Sequence, residues 1–251
     1  MKNLLLAFTA ALVWSACSYQ VQVLTVNADF AQQDTLLRYS NDTFEIVYNT
    51  YGKNGQLSFI VFNKSNVPLY IDWKRSAFIR GMQKQDYWDG DIIINTQTTA
   101  DYNISWLSAY SQRKYYTQGV MTQQEQITFI PPRTAVTMSK FNISPPIHAK
   151  GTNEKVVSKS YKKRGTTKVH EVAFTKENSP VSFRNFLTLS LKHDFSEEFY
   201  VDHQFWVSQS VIMAKKQYEG MPVLVEDADA TYVDYAYPYR KPNSYFTYFS
   251  N

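Results

Sequence analysis

The stretch FEIVYNTYGKNGQLSFIVFNKSNVPLYIDW, residues 44–73, decides the fold class. Phe44, Ile46 and Tyr48 fall on alternate positions, as do Leu57, Phe59 and Val61, and then Leu69, Ile71 and Trp73. A period of two puts every second side chain on one face of a pleated strand, so each run reads as a strand with one apolar face. Gly52-Lys53-Asn54-Gly55 has the length and residue types of a hairpin loop, and Asn63 to Asn66 with Pro68 punctuates the next junction. The three runs are expected to form a meander.

Further along, Ile127 to Ile130 stops at Pro131-Pro132, and Thr134 to Ile143 resumes as a strand until Pro145-Pro146. Proline donates no ladder hydrogen bond, so each pair ends its strand. Leu187, Leu189 and Leu191 alternate with polar residues, Asp194 to Glu198 turns the chain, and Phe199, Val201, Phe205, Val207 and Val211 alternate on the return. Ala31 to Arg38 is the one short stretch with a helical pattern. About seven strands predict an all-β fold, an immunoglobulin-like antiparallel β-sandwich. It must stand without the inter-sheet disulfide, because Cys17 is the only cysteine. Five Trp, 19 Tyr and 16 Phe supply the bulk of a core instead. The sandwich is expected over residues 17–213, interrupted by long polar inserts at about 86–126 and 149–179, with a Tyr-rich tail over 214–251.

The N-terminus reads as a processing signal over residues 1–16. Lys2 is followed by an almost wholly apolar run from Leu4 to Trp14, too short for a bilayer span of about 20 residues. Small residues Ser15-Ala16 before Cys17 resemble a bacterial lipobox. That resemblance implies cleavage before Cys17 and a diacylglycerol on its sulfur; the alternative is an ordinary secretory signal that leaves Cys17 as a free thiol. Two or three acyl chains would make the anchor effectively permanent. No Asp or acidic run follows Cys17, which by resemblance to the best-known bacterial sorting system implies the outer membrane, on its periplasmic face rather than the cell surface. The whole chain carries a formal charge of +4, too small to indicate a partner.

Several motifs together resemble a group of Bacteroidota envelope lipoproteins that has no established activity. They are Asn63-Lys64-Ser65 running into Pro68-Leu69-Tyr70-Ile71-Asp72 and Arg75-Ser76, Ile130-Pro131-Pro132-Arg133, Phe183-Arg184-Asn185-Phe186-Leu187-Thr188, and Phe205-Trp206-Val207-Ser208. The resemblance covers most of residues 17–213. Asp34-Thr35-Leu36 also resembles the O-glycosylation site of such proteins, with Thr35 as the acceptor.

Candidate binding residues fall into two groups. Lys155, Lys159, Lys162, Lys163 and Arg164, flanked by Lys150 and Lys168 and accompanied by the single acid Glu154, form a basic stretch suited to anionic lipid headgroups or an acidic partner. The bland alternative is a solvated loop. Nucleic acid fits the charge but not an envelope location, and it is not expected as a partner. Tyr232, Tyr235, Tyr237, Tyr239, Tyr245 and Phe246 in the tail, with Tyr87, Trp88, Trp106, Tyr115 and Tyr116 in the first insert, are suited to stacking on sugars or filling a partner's pockets. Alternatively the tail closes an exposed sheet edge.

No metal or cofactor is expected. His193-Asp194 and Asp202-His203 flank one turn, yet parity points both histidines towards the core, and the acids from Glu226 to Asp234 lack the pattern of a calcium loop. No G-x-S-x-G, H-E-x-x-H or P-loop occurs, and Ser111 to Lys114 matches S-x-x-K without its companion motifs. The expectation is therefore a lipid-anchored, non-catalytic outer-membrane protein that binds or scaffolds another envelope component, with a protein partner first and a place as accessory subunit of a membrane assembly as one form of that role. The alternative is a glycan- or polymer-binding module using exposed aromatics.

Overall fold

The computed structural model describes residues 20–30, 35–89, 92–96, 119–123, 125–143, 147, 155–161, 165–227 and 230–249. In chain order the strands are β1 (Gln20–Ala28), β2 (Leu37–Ser40), β3 (Phe44–Asn49), β4 (Gln56–Asn63), β5 (Leu69–Arg80), β6 (Gln83–Asp86), β7 (Ile92–Thr96), β8 (Gly119–Gln123) and β9 (Ile127–Ile130). They continue with β10 (Ala135–Asn142), β11 (Lys155–Tyr161), β12 (Gly165–Ala173), β13 (Ser182–Ser190) and β14 (Glu198–Ala214). The short helix α1 (Lys215–Glu219) precedes β15 (Pro222–Asp227), β16 (Ala230–Tyr235) and β17 (Ser244–Phe249).

Two antiparallel sheets form the sandwich. The smaller has the order β10-β4-β3-β2. In the larger, β14 is central: β1 pairs along one edge, while β13 and then β12 share the other. Beyond β13 lies β5, whose far edge is divided between β9 and β6. Alternation explains the layers: Phe44, Ile46, Tyr48, Leu57, Phe59 and Val61 all point inward and are buried. They meet Leu69, Ile71, Trp73, Phe183, Leu187, Leu189 and Phe205 from the facing sheet. The Phe183 and Phe205 rings stack at 4.9 Å across β13 and β14. Each such side chain contributes about 1.5–3 kcal/mol on burial, so aromatic packing replaces the missing disulfide.

The expected meander is corrected. β3 and β4 form the hairpin, but β5 crosses to the larger sheet and β10 takes the free edge of β4. The buried Asn63 side chain holds this crossover by donating to the carbonyls of Val67, at 2.8 Å, and Ile130, at 3.1 Å. Period-two patterning shows which face of a strand is buried; it does not show which sheet the strand joins.

The insert at 149–179, expected as a loop, contains the β11–β12 hairpin, which extends the larger sheet. Its β-branched residues suit a strand despite their charged neighbours. The insert at 86–126 contains the β7–β8 ladder, and Tyr87 is core rather than contact surface. Leu37 and Arg38, at the end of the stretch with a helical pattern, belong to β2.

The tail belongs to the fold. β17 pairs with β1 from Gln20↔Phe249 to Thr25↔Ser244. It also bridges to the β3–β4 loop, where Asn54 N–H donates to the Phe246 carbonyl and Phe246 N–H donates to that of Gly52. Tyr245 is consequently buried with no exposed surface, which removes it from the candidate contact residues. Tyr237, Tyr239, Phe246 and Tyr248 pack partly buried on a second cluster of Val21, Val23, Val169, Val211, Met213 and Tyr218.

Candidate binding face

The outer surface of the larger sheet carries an aromatic and ionic cluster that register assembles from four strands. Leu187 and Val201 are paired and face inward, so the even positions of β13 and β14 face outward. One row across the sheet is Phe129, Tyr70, Ser190 and Glu198. The next is Asp72, Thr188 and Tyr200, and the third is Ala77, Phe186 and Asp202. Phe129 and Tyr200 are 51% and 55% exposed, unusually open for rings on a strand. Tyr200 stacks on Phe186 at 5.5 Å, and Tyr70 lies 5.6 Å from Phe129 and 5.5 Å from the His193 ring.

A bulge in β5 places a cation between the two aromatic pairs. Between Asp72 and Ala77 the strand advances five residues, while its β13 partners advance only from Thr188 to Phe186. Asp72 accepts from the Lys74 and Arg75 amides at 3.0 and 3.2 Å, and Ser76 Oγ donates to the Asp72 carbonyl. Thr188 completes the turn by donating from its hydroxyl to the Arg75 carbonyl and from its amide to Ser76 Oγ. Arg75 then projects over the sheet. Its Nε reaches Asp72 at 2.8 Å, one terminal nitrogen pairs with Glu198, and its guanidinium lies 5.0 Å from the Phe195 ring centre.

The charges compensate one another. Hydrogen bonds to Asp72 and then to Glu198 hold the Arg75 proton more tightly than usual. The Glu198 carboxyl is lowered by the Tyr200 hydroxyl that donates to it and by Arg75, and Tyr200 is raised for the same reason. Arg184 pairs with Asp202 alongside and is raised by that contact. A nearly neutral, hydrogen-bonding surface studded with flat rings suits a protein surface or a hydroxyl-rich ligand better than a strong polyion.

Beneath this face a buried chain of polar side chains links the sheets. Tyr87 donates to Asn185 Oδ1 at 2.7 Å, Asn185 Nδ2 donates to the Tyr48 hydroxyl at 3.1 Å, and Tyr48 meets His203 Nδ1 at 2.8 Å. The Tyr48 hydroxyl has one proton and two lone pairs, so it can accept from Asn185 and still donate to His203 Nδ1 in the tautomer that carries its N–H on Nε2. Burial pushes the His203 pKa down to about 4, so the ring is neutral at ordinary pH. His203 thus faces the core, as parity predicts. His193 does not: β13 ends at Ser190, and His193 is exposed in the turn beside Tyr70.

The other expected residues are scattered. Tyr232 and Tyr235 are exposed on β15–β16, while Tyr237 and Tyr239 are half-buried beside α1 and Phe246 is half-buried on β17. Lys155 and Lys159 lie on β11. Cys17, Lys162, Lys163, Arg164, Trp106, Tyr115 and Tyr116 lie outside the described residues, and Thr35 is a half-buried turn residue. Among the described residues no group of three or more His, Cys, Asp or Glu side chains gathers as a metal site. No helix among them is long and apolar enough to cross a membrane. Sequence reading missed Phe129, Tyr200, Arg75 and Glu198 as one group. Their only signal was an aromatic on the polar side of two alternating strands. No protein-family model, curated protein or solved structure matches the chain.

Proposed function

We propose that this chain is a lipid-anchored, non-catalytic binding module of the outer membrane that holds another envelope component, a protein first, on the outer face of its larger sheet. The observation that carries this reading is the exposure of Phe129 and Tyr200 beside the Arg75, Glu198 and Asp72 group. Exposed rings next to a positioned arginine are the residue types that concentrate binding energy in interfaces. The non-catalytic part rests on the pairing of the ionisable groups: Arg75 is shared by Asp72 and Glu198, and Arg184 pairs with Asp202, with no poised nucleophile and base among them. The lipobox-like Ser15-Ala16-Cys17 supports the anchor, and the absence of Asp after Cys17 supports the periplasmic leaflet of the outer membrane.

A second reading, glycan or polymer binding, is favoured by the same rings, because flat aromatic surfaces flanked by carboxylates and guanidinium groups suit sugar rings and vicinal hydroxyls. A mild-detergent pull-down of the tagged, acylated protein separates the two. The expected result is a stoichiometric companion protein that is lost from the Phe129→Ala/Tyr200→Ala variant. A protein that elutes alone but is retarded on immobilised polysaccharide through the same residues would favour the glycan reading. Binding of either kind that survives the double substitution would remove this face as the site.

A further inference from the structure

The pairing register places the proposed anchor at one end of the molecule. Gln20 opens β1 opposite Ala214, the last residue of β14, and opposite Phe249 of β17. Cys17 is three residues earlier in the chain, a reach of about 10 Å even when fully extended. Whatever lies at the Ala214 end is therefore held close to any bilayer that holds Cys17.

Three features converge there. Lys215 and Lys216, both exposed, directly follow Ala214 in α1, with the Lys215 ammonium 3.4 Å from Glu219 and more than a third of its side chain still open to solvent. The β11–β12 hairpin runs to the same end: His170 pairs with Ile212, and continuing that register brings Lys168 level with Ala214 and carries Lys159, paired with Thr167, past it. Third, β15 and β16 form a two-stranded sheet with no further strand beside it among the described residues. Leu224 pairs with Val233 and Pro222 with Tyr235 on one face of that hairpin. Leu224 is 72% exposed and Val233 59% exposed, with Met221 open at the base. Of the hairpin's acids, Glu226 and Asp227 pair with Thr231 and Ala230 at the turn end, and Asp234 pairs with Val223 near the base.

We propose that the end marked by Gln20 and Ala214 is a membrane-docking surface, in which Lys215 and Lys216 engage anionic lipid headgroups and the Leu224/Val233 face of the β15–β16 hairpin sits in the interfacial layer. An isolated two-stranded hairpin is marginal in water, and an apolar face opposite water needs a cover. A bilayer about 10 Å from the first strand supplies one, and lysines at the same end match its charge. The orientation argument rests on the lipid-anchor reading, whereas the test below does not.

The test is co-sedimentation of the unacylated chain, residues 17–251 carrying Cys17→Ser, with phosphatidylethanolamine vesicles containing about one-third phosphatidylglycerol. Binding is expected to the anionic vesicles, to weaken as salt is raised, and to fall at least about 25-fold in Lys215→Glu/Lys216→Glu, at about fivefold for each lysine lost. Leu224→Ser/Val233→Ser, at exposed positions, is expected to abolish the binding that survives high salt. Absence of binding at low salt, or binding indifferent to both double variants, would overturn the docking surface. The intact mass of the membrane-extracted protein separately decides whether Cys17 is acylated, so the two failures are distinguishable.

Discussion

His203 is 7% exposed, packed between the Phe30 and Tyr39 rings at 4.6 and 4.5 Å, and has its Nδ1 committed to Tyr48. Desolvation lowers its pKa to about 4 from an ordinary 6.5, against the opposing pull of Asp29 and Asp202. In the unfolded chain the ring takes up a proton as pH falls through 6.5, while the folded ring resists until about 4. Unfolding therefore binds protons in that window, and stability is fully present above pH 6.5 and is lost progressively as pH falls towards 4. The loss approaches about 3 kcal/mol. Urea midpoints at a series of pH values should show this slope, and His203→Phe should flatten it; an unchanged slope would place the titrating group elsewhere. Parity along β14 made the inward direction of His203 legible. The same rule failed for His193 because alternation has meaning only while the backbone stays extended, and β13 stops three residues short of it. Tyr87 looked like insert surface because the residues around it are polar, yet its hydroxyl reaches Asn185 from inside the core.

At the level of elements, the β3–β4 loop shows how local and distant constraints meet. Gly55 has φ +70, and a Cβ there would lie 2.8 Å from the Tyr245 ring and 3.1 Å from Ile143. The glycine thus serves the turn and also the seating of β17, which is almost two hundred residues away in the chain. Gly55→Ala is expected to cost about 1–3 kcal/mol, from left-handed backbone strain and overpacking together. A lowered denaturation midpoint with an unchanged slope would show it, and a neutral result would mean that Tyr245 shifts freely. The hairpin itself was legible, since two alternating runs joined by Gly-Lys-Asn-Gly leave little choice of pairing. The β11–β12 hairpin was not, because the lysines spaced along its sequence obscure the β-branched residues between them. Nor was the departure of β5 to the second sheet, which depends on Asn63 meeting the carbonyls of a strand end more than sixty residues later.

For the whole molecule, β14 is the ruler. Tyr200 and Ala214 are fourteen positions apart on it, so the proposed binding face stands up to about 45 Å along the strand from the end where β14 meets Gln20. On the proposed reading, an anchor at Cys17 and recognition at this face would set the face away from the bilayer, within reach of a periplasmic partner. Cys17→Ser is expected to shift the protein from the membrane to the soluble fraction at high salt; retention in the membrane pellet would assign the anchor to another feature. Alternation, proline stops and the lone cysteine were enough to establish a two-layered antiparallel β protein without a disulfide, because side-chain direction and ladder competence are local properties of each strand. Only the tertiary structure decided which sheet each strand joins, that the tail is the edge strand sealing β1, and that Phe129, Tyr200, Arg75 and Glu198 share one face. Those outcomes depend on register between segments far apart in the chain, and register is set by packing complementarity that no single segment contains.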